Sequence, residues 1–168
     1  MGTFNHIASG HAALRRGRTS MPQDVYHVTV VTRGREKVFE DFDTACATAR
    51  CLEDRQYLRT STMLAWVLMP DHAHWLLQLG SGDTLAGLVT RLKCSSARHA
   101  NQVLGRRGAL WDRAFHDHAL RDQDDLHATA RYLIANPLRA GLVCQLGDYP
   151  FWNAVWLPEL SDAGVHVL

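Results

Sequence analysis

Apolar and polar positions change their period several times along the chain, and each change marks an element. Val25-Tyr-His-Val-Thr-Val-Val-Thr32 is β-branched and aromatic, which predicts a strand. After an Arg33-Gly-Arg35 turn, Phe42, Ala45, Ala49, Leu52 and Tyr57 return at helical spacing from Asp41 onward, with Asp43 near the N-terminal cap. Thr62 to Met69 and His72 to Leu79 are two apolar runs parted by Pro70-Asp71, the pattern of a hairpin. Beyond the Gly80-Ser-Gly-Asp83 loop, Thr84 is placed to cap a long amphipathic helix carrying Leu85, Leu88, Val89, Leu92, Ala97 and Val103. Gly105-Arg-Arg-Gly108 breaks that helix, and Leu110 to Leu120 reads as a short strand. Asp122-Gln-Asp-Asp125 then supplies acids to the first turn of a helix through Ala128, Tyr132 and Ile134, which Pro137 limits. The aromatic tail with Tyr149, Phe151, Trp152 and Trp156 is expected to pack back across the domain. The order β-α-β-β-α-β-α predicts an α+β fold, one sheet with helices covering one face.

Length and composition leave this picture intact. At 168 residues the chain fits one domain, read as a basic N-terminal arm over 1–22, a folded domain over 23–157 and a short tail over 158–168. With 46% hydrophobic and 21% charged residues it is neither a disordered nor a collagen-like sequence. No apolar run approaches the roughly 20 residues of a membrane span. The four cysteines make no C-x-x-C pair, and the first residues hold no apolar signal core, so reduced thiols in the cytoplasm are expected. Charge changes the picture more. The formal net charge of +1 conceals segregation: seven bases stand against Asp112 and Asp117 over residues 87–121, and five arginines against Asp24 over residues 1–35. Such segments offer a field to a polyanion, although solvated basic faces are equally ordinary.

Two groups of residues carry candidate chemistry. His72 and His74 are two apart on an expected strand and so project from one face, half of a metal site. In a chain with ten histidines the same pair also arises by chance. Tyr132 and Asn136 are four apart on the last helix and share its face. A phenol can act as a nucleophile and an amide oxygen can bind a hard cation. A tyrosine at a helix rim and an Asn-Pro helix stop account for the same letters.

Read together, Met69-Pro-Asp-His-Ala-His-Trp-Leu-Leu77, Leu110-Trp-Asp-Arg-Ala-Phe-His-Asp-His118 and Arg131-Tyr-Leu-Ile-Ala-Asn-Pro-Leu-Arg-Ala-Gly-Leu-Val143 resemble the single-tyrosine HUH transposases, and within them the REP-associated tyrosine transposases. The resemblance spans about residues 24–156, and the opening strand from Tyr26 to Arg35 shares in it. It implies a ferredoxin-like antiparallel sheet with the tyrosine helix lying across the metal face. His72 and His74 match the family's cation-holding pair, Tyr132 its nucleophile, and Asn136 the place of a third, amide-bearing ligand. The implied activity is nicking and joining of single-stranded DNA at REP-like hairpins through a 5′-phosphotyrosine, with Mg²⁺ as cofactor and Mn²⁺ as its substitute. Asp71 stands where the family often has Asn.

The resemblance also sets expectations for partners. Single-stranded or hairpin DNA is expected, no membrane, a nucleoid-associated location, and a monomer, with a helix-exchanged dimer as the alternative. Arg91, Lys93 and Arg98 on the long helix, Arg106, Arg107 and Arg113 beyond it, and Arg15, Arg16 and Arg18 on the arm are expected to meet phosphates. Trp75 and Trp111 are read as core before base-stacking residues, His27 as a packed histidine, and His116 and His118 as structural before DNA-contacting. A catalytically silent hairpin binder is the competing reading. A metal-water phosphoesterase is the weaker third.

Overall fold

In the computed structural model the described residues run from 22 to 156 except Asp122. The arm with Arg15, Arg16 and Arg18, the acidic run from Asp122 to Asp125 and the tail beyond Trp156 lie outside what is described side chain by side chain.

The elements follow the residue pattern closely. Strand β1 (Val25–Val31) buries Tyr26, Val28 and Val30 and leaves the alternate positions half-covered. Helix α1 (Phe42–Leu52) is capped by Asp41, whose carboxylate accepts from the Thr44 amide at 2.9 Å, two residues earlier than the Asp43 expected from sequence. The helix also stops sooner. Asp54 accepts from the Gln56 amide at 2.9 Å and starts a separate turn, α2 (Arg55–Leu58), so Tyr57 belongs to a second helix. Strands β2 (Thr62–Met69) and β3 (His72–Gln78) form the hairpin across Pro70-Asp71. Helix α3 (Leu85–Val103) is capped by Thr84, whose hydroxyl accepts from the Gly87 amide.

The strand expected over 110–120 forms only at its end, as β4 (His116–Leu120). Trp111 makes an isolated bridge to Thr32, and the loop between is tied down by Lys93, which donates to the carbonyls of Asp112, Arg113 and Ala114. Helix α4 (Gln123–Ile134) is followed by the short α5 (Asn136–Arg139) with Pro137 in its first turn, and by the edge strand β5 (Trp152–Ala154). The tail does return across the domain: β5 pairs with β2, and the Tyr149 hydroxyl donates to the Leu68 carbonyl at 2.6 Å.

The five strands stand in the order β4-β1-β3-β2-β5 with every neighbouring pair antiparallel. The β1–β2 connection through α1 and the β3–β4 connection through α3 each cross over one intervening strand, the ferredoxin-like connection. Helices α1 and α3 cover one face of the sheet, where Ala45, Leu52, Leu88 and Leu92 pack with Val28, Val30, Trp66, Trp75 and Leu77. Trp75 and Trp111 are both interior here, in keeping with the core reading. The opposite face takes α4: Ala130 and Leu133 pack on Ala65, Val67, Met69, Leu76 and Ala154. The element order predicts the helices on one face; α1 and α3 lie there, but α4 covers the other, across which the resemblance lays the tyrosine helix. Among the described residues no helix is long and apolar enough to cross a membrane.

Leu133 is fully buried at the centre of this second core. Leu133→Ala is therefore expected to lower stability by about 2–4 kcal/mol through lost burial and the cavity left behind. Urea denaturation checks this, and a midpoint equal to that of the unchanged chain would show that α4 is not held by this contact.

Candidate active site

The α4 face of the sheet is divided. Its β2 and β5 side is apolar and lies under α4, while its β1, β3 and β4 side carries histidines. The register places Thr29 opposite His74 on one side and His116 on the other, with His27 opposite His118. Side chains two apart share a face, so His72, His74, His27, Thr29, His116 and His118 all project from the same surface. The rings of His72 and His74 meet edge to face with centroids 5.0 Å apart.

Both imidazoles of the pair are held by one nitrogen. His72 Nδ1 lies 2.6 Å from Asp71 Oδ1, and Asp71 is in turn bridged to Arg35 at 3.1 Å. Burial alone would raise the Asp71 carboxyl, but hydrogen bonds and charge from His72 and Arg35 outweigh it and hold the group below its usual range. His74 Nδ1 lies 3.0 Å from Thr29 Oγ1 and 3.1 Å from His27 Nε2. Burial, followed by the charges of His27, His72 and Arg139, pushes His74 down to about 3, so the ring is neutral at physiological pH. His27 is lowered as well, by burial and then by His118. With Nδ1 occupied in both rings, Nε2 is the nitrogen left to bind a ligand, and a neutral imidazole is the form that does so.

Among the chain's four tyrosines, three have engaged hydroxyls. Tyr26 is buried and donates to Asp24. Tyr57 accepts from Arg98 at 2.8 Å. Tyr149 bonds Leu68 and is pushed up to about 12 by burial. Tyr132 is 55% exposed, and its hydroxyl has no hydrogen-bond partner among the described residues. It stands off the stripe of Ala130 and Leu133 that seats α4, and the guanidinium carbon of Arg139 lies 4.0 Å from its ring centroid. Asn136 does not extend α4 but opens α5, and its amide nitrogen donates to the Leu133 carbonyl at 2.8 Å. That bond leaves the Asn136 amide oxygen unpartnered among the described residues. The guanidinium of Arg139 covers the Tyr132 ring, and its charge is the least of the influences that lower His74.

A model of the family described as Transposase IS200 like matches residues 20–136. The chain belongs to that family. Among curated proteins the chain is similar to a REP-associated tyrosine transposase of Escherichia coli, strain K12, 32% identical over 87 residues that cover 52% of this chain and 50% of that protein. A Haemophilus influenzae protein named provisionally in the same way is 31% identical over 98 residues, 52% of this chain and 56% of its own. The chain spans about half the length of these curated relatives. A solved structure of a REP-associated tyrosine transposase bound to a REP hairpin shares the fold with a TM-score of 0.65 at 21% identity, covering 89% of this chain and 86% of that one.

Within the IS200-like fold, the basic residues expected to meet DNA are largely committed elsewhere. Arg91 forms a two-pronged ion pair with Asp83 and donates to the Tyr57 carbonyl at 2.9 Å. Lys93 holds the loop after α3, Arg98 bonds Tyr57, and Arg106 pairs with Glu36 at 2.8 Å. Helix α3 also lies against the face opposite the histidines. These contacts neither meet nor overturn the expectation that the four side chains bind phosphates: acids hold Arg91 and Arg106, backbone carbonyls hold Lys93, and the Tyr57 hydroxyl holds Arg98. Arg107 and Arg113 are exposed, on loops. The residues that sequence reasoning missed are Thr29, His27 and Arg139. Alternation along β1 already placed the first two on one face. Nothing local announced Arg139.

Proposed function

We propose that this chain nicks and rejoins single-stranded DNA beside a folded hairpin, with Tyr132 as nucleophile and a divalent cation held by His72, His74 and Asn136. The observation that carries the reading is the combination of one exposed, unpartnered phenol with two imidazoles locked through Nδ1. The names of the relatives and the hairpin in the solved structure support the substrate class.

The donor set fits a cation. His72 Nε2, His74 Nε2 and the Asn136 amide oxygen are all left open by their hydrogen bonds, and two nitrogens with one oxygen suit Mn²⁺, with Mg²⁺ relying further on phosphate and water oxygens. Among the described residues no three His, Cys, Asp or Glu side chains gather at one point, so the third protein donor is an amide or none. When bound, the cation neutralises charge that develops on the scissile phosphate. The Tyr132 oxygen attacks phosphorus as its proton passes to solvent. A new P–O bond to the phenol forms, the bond to the 3′ oxygen breaks, and that oxygen leaves with a proton as a free hydroxyl. Reversal of these bonds rejoins the strand.

Thr29 and His27 orient the His74 ring in this scheme, since Nδ1–H donating to either one fixes Nε2 as the ligand. Thr29→Val is expected to weaken Mn²⁺ binding about 10-fold, and Thr29→Ser to restore most of it. Electron paramagnetic resonance titration reads both; equal affinity in all three proteins would remove Thr29 from the site.

A hairpin binder without turnover is favoured by one feature: among the described residues the Tyr132 ring meets Arg139 and not the imidazoles. An adduct assay on a hairpin oligonucleotide with single-stranded flanks separates the two readings. A protein–DNA band that survives SDS supports the nuclease, and binding without that band supports the silent reader.

A further inference from the structure

The guanidinium of Arg139 lies beside the phenol that the proposed reaction uses. Its carbon rests 4.0 Å from the centroid of the Tyr132 ring. Three arginines are paired with carboxylates, Arg35 with Asp71, Arg91 with Asp83 and Arg106 with Glu36. Arg139 has no carboxylate partner among the described residues. A cation held over the face of the phenol with its N–H fork unsatisfied among the described residues is built to receive an anion. It is also held in place by the backbone. The Arg139 amide donates to the Ala135 carbonyl, and α5 is fixed in turn by Asn136 bonding Leu133 and by the buried Pro137.

We infer that Arg139 is a catalytic residue that grips the non-bridging oxygens of the scissile phosphodiester between the Tyr132 phenol and the imidazole pair. The inference rests on the nuclease reading above and adds to it the group that positions the phosphorus. The planar fork binds two oxygens of one phosphate, while the ring beneath fixes the angle of the fork, so the same contact sets the phosphate in reach of the phenol oxygen. As attack proceeds, charge builds on those oxygens and the contact strengthens, which lowers the barrier and not merely the dissociation constant.

The test uses the full chain, a hairpin oligonucleotide with single-stranded flanks, and Mn²⁺. Arg139→Met keeps an aliphatic cover on the Tyr132 ring and removes the charge, and Arg139→Lys keeps the charge without the fork. Arg139→Met is expected to slow SDS-stable adduct formation about 100-fold, the effect of losing one preorganised charged donor, with Arg139→Lys in between. Mn²⁺ affinity by electron paramagnetic resonance and hairpin affinity by fluorescence anisotropy in chelator should change less than about twofold, since neither contact is to the metal or the stem. Adduct formation by Arg139→Met at the rate of the unchanged chain overturns the inference and leaves the nuclease reading standing. So does a rate loss matched by an equal loss of hairpin affinity, which would make Arg139 a general phosphate tether. Failure of the unchanged chain to form any adduct sinks both.

Discussion

Tyr132→Phe removes covalent capture of hairpin DNA, with a rate loss on the order of 10⁴-fold or more, the scale on which deleting a covalent nucleophile acts. No other hydroxyl is poised to replace it, because Tyr26, Tyr57 and Tyr149 are all engaged within the fold. The substitution leaves the rest of the molecule alone. The Tyr132 ring is exposed, its hydroxyl bonds nothing among the described residues, and phenylalanine still offers Arg139 a face. Stability should therefore stay within about 0.5 kcal/mol of the unchanged chain, as for other surface substitutions. Hairpin affinity measured by anisotropy should be unchanged. If cleavage continues in Tyr132→Phe without an adduct, a metal-water phosphoesterase takes the place of the tyrosine nuclease.

The second large effect is expected at the imidazole pair. His72→Ala and His74→Ala should each reduce Mn²⁺ affinity by more than the roughly 10–100-fold that follows loss of an outer-shell partner, with adduct formation falling in parallel. The two variants part company in stability. His72 is half-exposed and faces Asp71, which keeps Arg35 when the ring is gone. His74 is more enclosed, and its removal strips Thr29 and His27 of a shared partner, a loss of about 1–3 kcal/mol. Resonance titration and denaturant unfolding of the same preparations separate ligand loss from unfolding. Unchanged Mn²⁺ affinity in His72→Ala would mean that the pair does not hold the cation.

The parts of this molecule that were legible in the sequence are those governed by short-range rules. Period-2 alternation placed Tyr26, Val28 and Val30 inward and put His72 beside His74 on one face. The hydroxyl of Thr84 announced the start of α3, and the aromatic tail found its place on β2 through Trp152 and Tyr149. What escaped was decided by partners distant in the chain. Arg106 reads as free until Glu36, 70 positions away, folds against it. Lys93 reads as a phosphate contact until the loop at Asp112 turns its carbonyls toward it. Asp43 and Asp41 are both credible caps, and only the path of the backbone chooses Asp41. The Leu110–Phe115 stretch has strand composition, yet the single bridge at Trp111 and the Lys93 contacts hold it as a loop. In the site, the imidazole pair and the tyrosine were visible as letters. The contact of Arg139 with the Tyr132 ring depends on the break after Ile134 at which α5 starts, which no periodicity encodes.

Peptide mapping of the trapped protein–DNA adduct by mass spectrometry tests the central claim most directly. The account predicts a single nucleotide-bearing peptide, modified at Tyr132 through a 5′ phosphate, formed in Mn²⁺ and absent in chelator. An adduct on another residue, or one on Tyr132 that forms equally well in chelator, would contradict it.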